Sequence, residues 1–162
     1  MRVLRGRWRL TPLILLALPL VPASAEGGDV IVFVAFPSPE RVWSHGYGAA
    51  LSSTMFGLLR LEGEAARIPA ERPQDTLTSF TGSALLAPSL GFLTPYGGLG
   101  IGFYRQTLGG DSESGIMHCF VLGLKVKVGL IVLKAEYRNI HLSNEALLPM
   151  DYRLSAGVGI SF

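Results

Sequence analysis

Apolar and polar residues alternate along most of the chain after residue 28, which is the pattern of β-strands that have one apolar face. The last eleven residues show this alternation most clearly. One face is apolar or aromatic and contains Tyr152, Leu154, Ala156, Val158, Ile160 and Phe162. The other face is small or polar and contains Arg153, Ser155, Gly157, Gly159 and Ser161. This pattern predicts a final strand that ends on an aromatic residue.

The same alternation predicts seven further strands, each near the about 9–11 residues that a tilted membrane strand needs. They lie within residues 29–36, 46–53, 58–66, 79–87, 96–104, 119–128 and 133–139. The first of these, DVIVFVAF, is apolar on both faces, so its register cannot be read from the sequence. The strands therefore predict an all-β fold with eight strands.

The predicted connections alternate in length and polarity, which is expected of a barrel with short turns at one end and longer loops at the other. The short or Pro/Gly-rich ones are 56–57, 88–95 and 129–130, and the longer polar ones are 37–44, 69–75, 108–114 and 142–151. We predict an antiparallel up-and-down transmembrane β-barrel with both termini in the periplasm. The alternative, a soluble sandwich or lipocalin-like barrel, would leave the charged faces of the third and seventh strands in solvent.

Residues 1–25 have the features of a cleaved export signal, and residues 26–162 are predicted to form the barrel. Four arginines precede the short apolar run LILLALPLV, and the small-residue motif Ala23-Ser24-Ala25 follows it. The apolar run is shorter than the about 18 residues of a transmembrane helix. We predict cleavage after Ala25 and location in the cell outer membrane.

Charge and cysteine content exclude two classes of protein. Without the four arginines of the signal, ten Lys and Arg face twelve Asp and Glu, so the mature chain carries a net charge of −2. The sequence has no basic patch of the kind that would indicate a nucleic-acid partner. The single cysteine, Cys119, rules out an intrachain disulfide framework and is predicted to be a small inward-facing filler. We predict no cofactor.

Charged residues on the inward faces predict a network inside the barrel. Strands three and seven lie four apart in an eight-stranded cylinder, so Glu64 and Glu62 should pair across it with Arg138 and Lys134. Lys125 should join this network, whose predicted members are Arg60, Glu62, Glu64, Lys134, Glu136, Arg138 and Arg153. There are two hypotheses for the role of this network: it lines a gated polar pore, or it forms a salt-bridged plug. The Gly-rich faces of strands five and eight favour the plug.

Three segments resemble the OmpA-like outer-membrane β-barrel superfamily: LTPYGGLGIGFY (93–104), LKAEYRN (133–139) and the closing GVGISF (157–162). This resemblance implies a structural or surface-interaction role without catalysis. It implies contact with outer-membrane lipid and lipopolysaccharide. It also implies recognition by the barrel-assembly machinery through the last strand, which ends at Phe162.

The histidines are predicted at the outer strand ends, where polar side chains meet the membrane surface. A turn at Gly129-Leu130 would place His118 directly opposite His141, while His45 lies between the first long connection and the second strand. A metal site between these two histidines is the alternative, but no nearby carboxylate or cysteine shares that face, so we predict no metal site.

The segment IHLSN (140–144) raises a catalytic alternative, because alternation places His141 and Ser143 on the lipid-facing side. It resembles the lipid A deacylase (acyloxyacyl hydrolase) barrels, which implies His141 as base, Ser143 as nucleophile and Asn144 as support. Asp151 is the most suitable orienting acid, with Glu145 next. This chain has Ser155 where the family has its acid, and Glu145 and its neighbours replace the family's small residues. We therefore prefer a role without catalysis.

Overall fold

The eight strands pair in chain order and form a closed antiparallel β-barrel. The computed structural model describes residues 27–39, 43–70, 72, 75–143 and 146–162. The strands are β1 (Gly28–Ser38), β2 (Gly46–Met55), β3 (Leu59–Pro69), β4 (Thr76–Leu86), β5 (Leu93–Leu108), β6 (Asp111–Val128), β7 (Ile131–Leu142) and β8 (Tyr152–Ser161). Pairing of β8 with β1 closes the barrel, which confirms the predicted eight-stranded antiparallel fold.

Some predictions concern residues outside this description, namely the signal peptide over 1–25 and the roles of Asn144 and Glu145. Among the residues that are described, no helix is long and apolar enough to cross a membrane.

Side chains alternate between the interior and the outer surface as the sequence pattern predicted. On β8, Arg153 is 1% exposed, whereas its neighbour Leu154 is 49% exposed. The structure also assigns β1, whose pattern was ambiguous. Ile31 and Phe33 face inward, and Val32 faces outward, so β1 contributes apolar side chains to both sides of the wall.

The prediction of a long polar loop over residues 108–114 is wrong, because β5 and β6 are joined by a two-residue turn. Gly109 and Gly110 both have positive φ, 61° and 100°, as a tight hairpin turn requires. The strands consequently extend to 16 and 18 residues. Met117 pairs with Leu142 at the end of β7, so the first residues of β6 project beyond β7. The prediction that His118 lies at a strand end is therefore wrong, because His118 lies inside β6.

The two ends of the barrel differ in their connections. The turn end carries the short connections 56–58, 87–92 and 129–130 and both ends of the described chain. There the Gly28 amide donates to the Phe162 carbonyl at 2.9 Å. The loop end carries the connections 39–45, 70–75, 109–110 and 143–151.

Candidate functional site

The seven charged residues predicted to face the interior are all buried there, and ion pairs link them. Both pairs predicted across the barrel are present. Glu64 Oε2 lies 3.1 Å from Arg138 Nη2, and Glu62 Oε1 lies 2.8 Å from Lys134 Nζ. The alternation of β3 and β7 points these side chains inward, and the position of the two strands on opposite walls brings them together.

Arg138 is the centre of the network and is fully buried. Its Nη2 lies 3.4 Å from Glu62 and 3.0 Å from Glu136, and its Nη1 donates to Thr81 Oγ1 at 2.9 Å. Several donors in one fixed plane let a guanidinium satisfy several acceptors at once. Arg138 thereby joins carboxylates from both walls of the barrel.

Asp29, near the start of β1, completes the network at the turn end, and sequence reasoning missed it. Its carboxylate forms ion pairs with Arg60 and, at 3.2 Å, with Lys125. The only signal in the sequence was an acidic residue at the beginning of an otherwise apolar strand of unknown register. Among the described residues, the ion-pair network thus holds five cations and four carboxylates: Arg60, Lys125, Lys134, Arg138 and Arg153 against Asp29, Glu62, Glu64 and Glu136.

Three carboxylates inside the barrel lie close enough to bind one metal ion. Oxygens of Glu62, Glu64 and Glu136 are all within 4.8 Å of one another. However, Lys134 and Arg138 already contact these carboxylates at 2.8–3.4 Å. A metal ion would have to displace buried ammonium and guanidinium groups, which would then lack partners. The side chains fit an ion-pair network and do not fit a metal centre.

An apolar layer lies between this network and the loop end. Trp43 is 2% exposed, and its indole Nε1 donates to the Pro149 carbonyl at 3.3 Å. Gln106 Nε2 donates to the Leu148 carbonyl at 2.7 Å, and the Leu148 amide donates to Gln106 Oε1 at 3.2 Å. We call this layer the cap, and its buried members are Trp43, Ile68, Ala70, Leu77, Met117, Ile140 and Met150.

Sequence reasoning missed the cap because it treated the connection 142–151 as polar. The available signal was the apolar run Ala146 to Met150 (ALLPM) within that connection. Ala146 and Leu148 pack against the cap, and Met150 is buried in it.

The structure separates the residues of the hydrolase hypothesis. His141 faces outward and is exposed, as predicted. Ser143 departs from the predicted outward position, because β7 ends at Leu142 and the alternation ends with it. Its Oγ lies 2.9 Å from the hydroxyl of Tyr104, which is 2% exposed and belongs to the same buried cluster as the residues of the cap.

Asp151 contributes its backbone rather than its carboxylate to the described contacts. Its carbonyl accepts from the Ile140 amide at 2.9 Å, and its amide donates to the Ser38 carbonyl at 3.3 Å. Among the hydrogen bonds of the described residues, none joins His141 to Ser143 or to Asp151. The catalytic role of His141, Ser143 and Asp151 stays a prediction, and the described contacts do not bring the three side chains together.

Solved structures of three bacterial proteins share this barrel. Neisserial surface protein A is 20% identical, with a TM-score of 0.63, over 84% of this chain and 95% of that one. The N-terminal β-barrel domain of Pseudomonas aeruginosa OprF is 16% identical, with a TM-score of 0.66, over 85% and 98%. The attachment invasion locus protein Ail of Yersinia pestis is 15% identical, with a TM-score of 0.55, over 86% and 99%.

These similarities confirm the predicted resemblance to small outer-membrane barrels at the level of the fold. No protein-family model matches the chain, and comparison with curated proteins finds no match. The partial resemblance to deacylase barrels stays a prediction.

Proposed function

We propose that the protein is a small integral outer-membrane β-barrel with a structural or surface-interaction role and without catalysis. The distribution of exposure supports this most directly. Large apolar side chains cover the outer wall, for example Leu99 at 69%, Phe103 at 68% and Val32 at 58% exposure. A soluble barrel would bury such residues and expose its charges. A wall that is apolar outside and charged inside suits hydrocarbon around the barrel.

We also propose that the turn end faces the periplasm and the loop end faces the outside. Short turns and both ends of the described chain lie at one end and support this orientation, since small bacterial barrels have short periplasmic turns and longer external loops. Phe162 at the turn end is 67% exposed. It is therefore accessible to the barrel-assembly machinery, which we propose binds the last strand after export and signal cleavage at Ala25.

The lumen is proposed to be closed by a plug. Two features of different chemistry support this: the ion-pair network in the middle and the cap at the loop end. Breaking a buried ion pair typically costs about 3–5 kcal/mol, so the network resists opening. The cap adds an apolar layer that water must cross. A structural or surface-interaction role needs no open pore.

The proposal predicts that the protein fractionates with the outer membrane. Folded protein extracted in detergent should migrate faster on a gel than boiled protein, because a closed barrel of paired strands resists mild detergent. Sucrose-gradient separation of cell membranes, with unboiled and boiled samples of each fraction, tests this. Recovery of folded protein in detergent-free soluble extract would contradict the proposal.

We propose that lipopolysaccharide phosphate is a partner of the loop end. Arg67 on β3 pairs in register with Thr78 on β4, which pairs with Arg105 on β5. Both arginines are exposed on the outer wall. Neighbouring strands are about 4.8 Å apart, so each arginine lies one strand away from Thr78. Arg105 Nε also donates to Ser112 Oγ of β6 at 3.2 Å. Arginine and hydroxyl groups so arranged suit a phosphate anion.

Replacing both arginines, Arg67→Gln with Arg105→Gln, should weaken binding of phosphorylated lipid A by about 30-fold. This corresponds to about 1 kcal/mol for each cation near an anionic membrane surface. Binding of refolded protein to micelles with phosphorylated or dephosphorylated lipid A measures the effect. Lys127→Gln is the matched control, because Lys127 is exposed at the turn end. Equal loss for both lipids would contradict phosphate recognition.

A further inference from the structure

The outer face of β6 and β7 carries two histidines that the proposed function does not use. His118 on β6 lies directly opposite His141 on β7, and both are exposed. Directly opposite residues of antiparallel strands have Cβ atoms about 4.5–5.5 Å apart. The two imidazoles therefore project from the same side of the wall at neighbouring positions.

The side chains around His118 are apolar. Ile116 and Phe120 precede and follow it on the same face of β6, and Ile101 lies opposite it on β5. These three side chains are 46%, 43% and 57% exposed, and none carries a hydrogen-bond donor or acceptor. A polar group that faces apolar surroundings without a partner is unfavourable. His141 is the polar side chain placed directly across the strand pair, so the two imidazoles can share a ligand.

We propose that His118 and His141 form a two-imidazole site for a divalent transition ion of the Zn²⁺, Ni²⁺ or Cu²⁺ class. Metal–imidazole bonds of about 2.0–2.1 Å place two nitrogens about 3.3 Å apart around a tetrahedral ion. Rotation of the two exposed rings covers this separation from opposite Cβ positions. Imidazole nitrogen selects this class over Ca²⁺ and Mg²⁺, which prefer oxygen ligands. His141 is next to Leu142, the last residue of β7, so water from the loop end completes the coordination.

The barrel holds the two ligands in register before any ion binds. β6 is paired with β5 on one side and with β7 on the other, and β7 is also paired with β8. Binding therefore orders only side-chain rotamers and leaves the backbone unchanged, which lowers its entropic cost. His45 provides a contrast, because it lies in the connection 39–45 with its ring against Phe36, at 5.1 Å between ring centroids.

Calorimetric titration of untagged, detergent-refolded protein with Ni²⁺ tests the site. We expect one ion per barrel, with binding at least about tenfold weaker in His118→Asn and in His141→Asn, because each variant keeps one of two ligands. His45→Asn should bind within about twofold of the wild type, since His45 is not part of the site. Heat-modifiable migration verifies that each variant is folded. Unchanged binding in His118→Asn, or equal weakening in His45→Asn, would overturn the proposal.

Electron paramagnetic resonance of the Cu²⁺-loaded protein supplies a second, independent readout. The wild type should show coupling to two imidazole nitrogens, and each single variant should show coupling to one. A spectrum that His141→Asn leaves unchanged would also overturn the proposal, whatever the affinity.

Discussion

Glu62→Gln should destabilise the barrel by about 3–5 kcal/mol, because it removes one charge from a buried ion-pair network. The Glu62 carboxylate lies 2.8 Å from Lys134, 3.4 Å from Arg138 and 3.7 Å from Lys125. The described ion-pair network already holds one cation more than it has carboxylates, and the substitution adds a second unpaired positive charge. Glutamine has nearly the volume of glutamate, so the loss reports charge rather than a cavity. The free energy of unfolding in urea, measured in detergent micelles, gives the value.

Glu113→Gln is the matched control for this measurement. Glu113 is an exposed carboxylate on β6, and neutralising it should change the free energy of unfolding by less than about 0.5 kcal/mol. If both variants lose the same stability, the interior network does not contribute as argued. A wild-type value for Glu62→Gln would contradict the network directly.

Gly102→Ala should destabilise the barrel by about 1–3 kcal/mol or more, because its methyl group has no space. Gly102 faces inward on β5, and a Cβ there would clash with the Phe80 carbonyl oxygen and lie 2.8 Å from the Thr81 Cα. These are backbone atoms of the paired strand β4, so relief requires that β4 and β5 separate. Urea unfolding and the fraction of chains that refold into micelles measure the loss.

Gly82→Ala supplies the control on the same strand pair. Gly82 faces outward on β4 and pairs with Ile101, next to Gly102, and a Cβ there meets no atom within 4 Å. Alanine loses less backbone entropy than glycine on folding, so this variant should be as stable as the wild type or more stable by up to about 1 kcal/mol. Equal losses for Gly82→Ala and Gly102→Ala would show that the cost does not arise from the clash at Gly102.

Alternation was sufficient to place seven of the eight strands and the sides of their residues. Its physical basis is local, since successive side chains of any strand point to opposite faces. Lys134, Glu136 and Arg138 are therefore inward as soon as β7 is a strand with Leu133 and Tyr137 outside. The eight-strand count then brought β3 and β7 to opposite walls, which was enough to predict Glu64–Arg138 and Glu62–Lys134.

The alternation of apolar and polar residues did not predict the direction of side chains where both faces of a strand are apolar or where the strand ends. Asp29 could not be assigned to the interior because β1 offers no contrast between its faces. Ser143 follows the last residue of β7, so the alternation of a strand no longer determines the direction of its side chain. Its hydroxyl forms a hydrogen bond with the Tyr104 hydroxyl instead. The hairpin between β5 and β6 was mistaken for a loop because its tip is polar and exposed on both faces.

The sequence pattern thus predicts the strands, the inward or outward direction of their side chains, and the ion pairs that follow from the number of strands. The cap, the place of Asp29 and the partner of Ser143 arise only when distant segments meet. Trp43 and Met150 are 107 positions apart in the numbering, and each is buried only because the barrel brings both connections to one end. Burial of this kind depends on contacts between segments, which no local period in a sequence records.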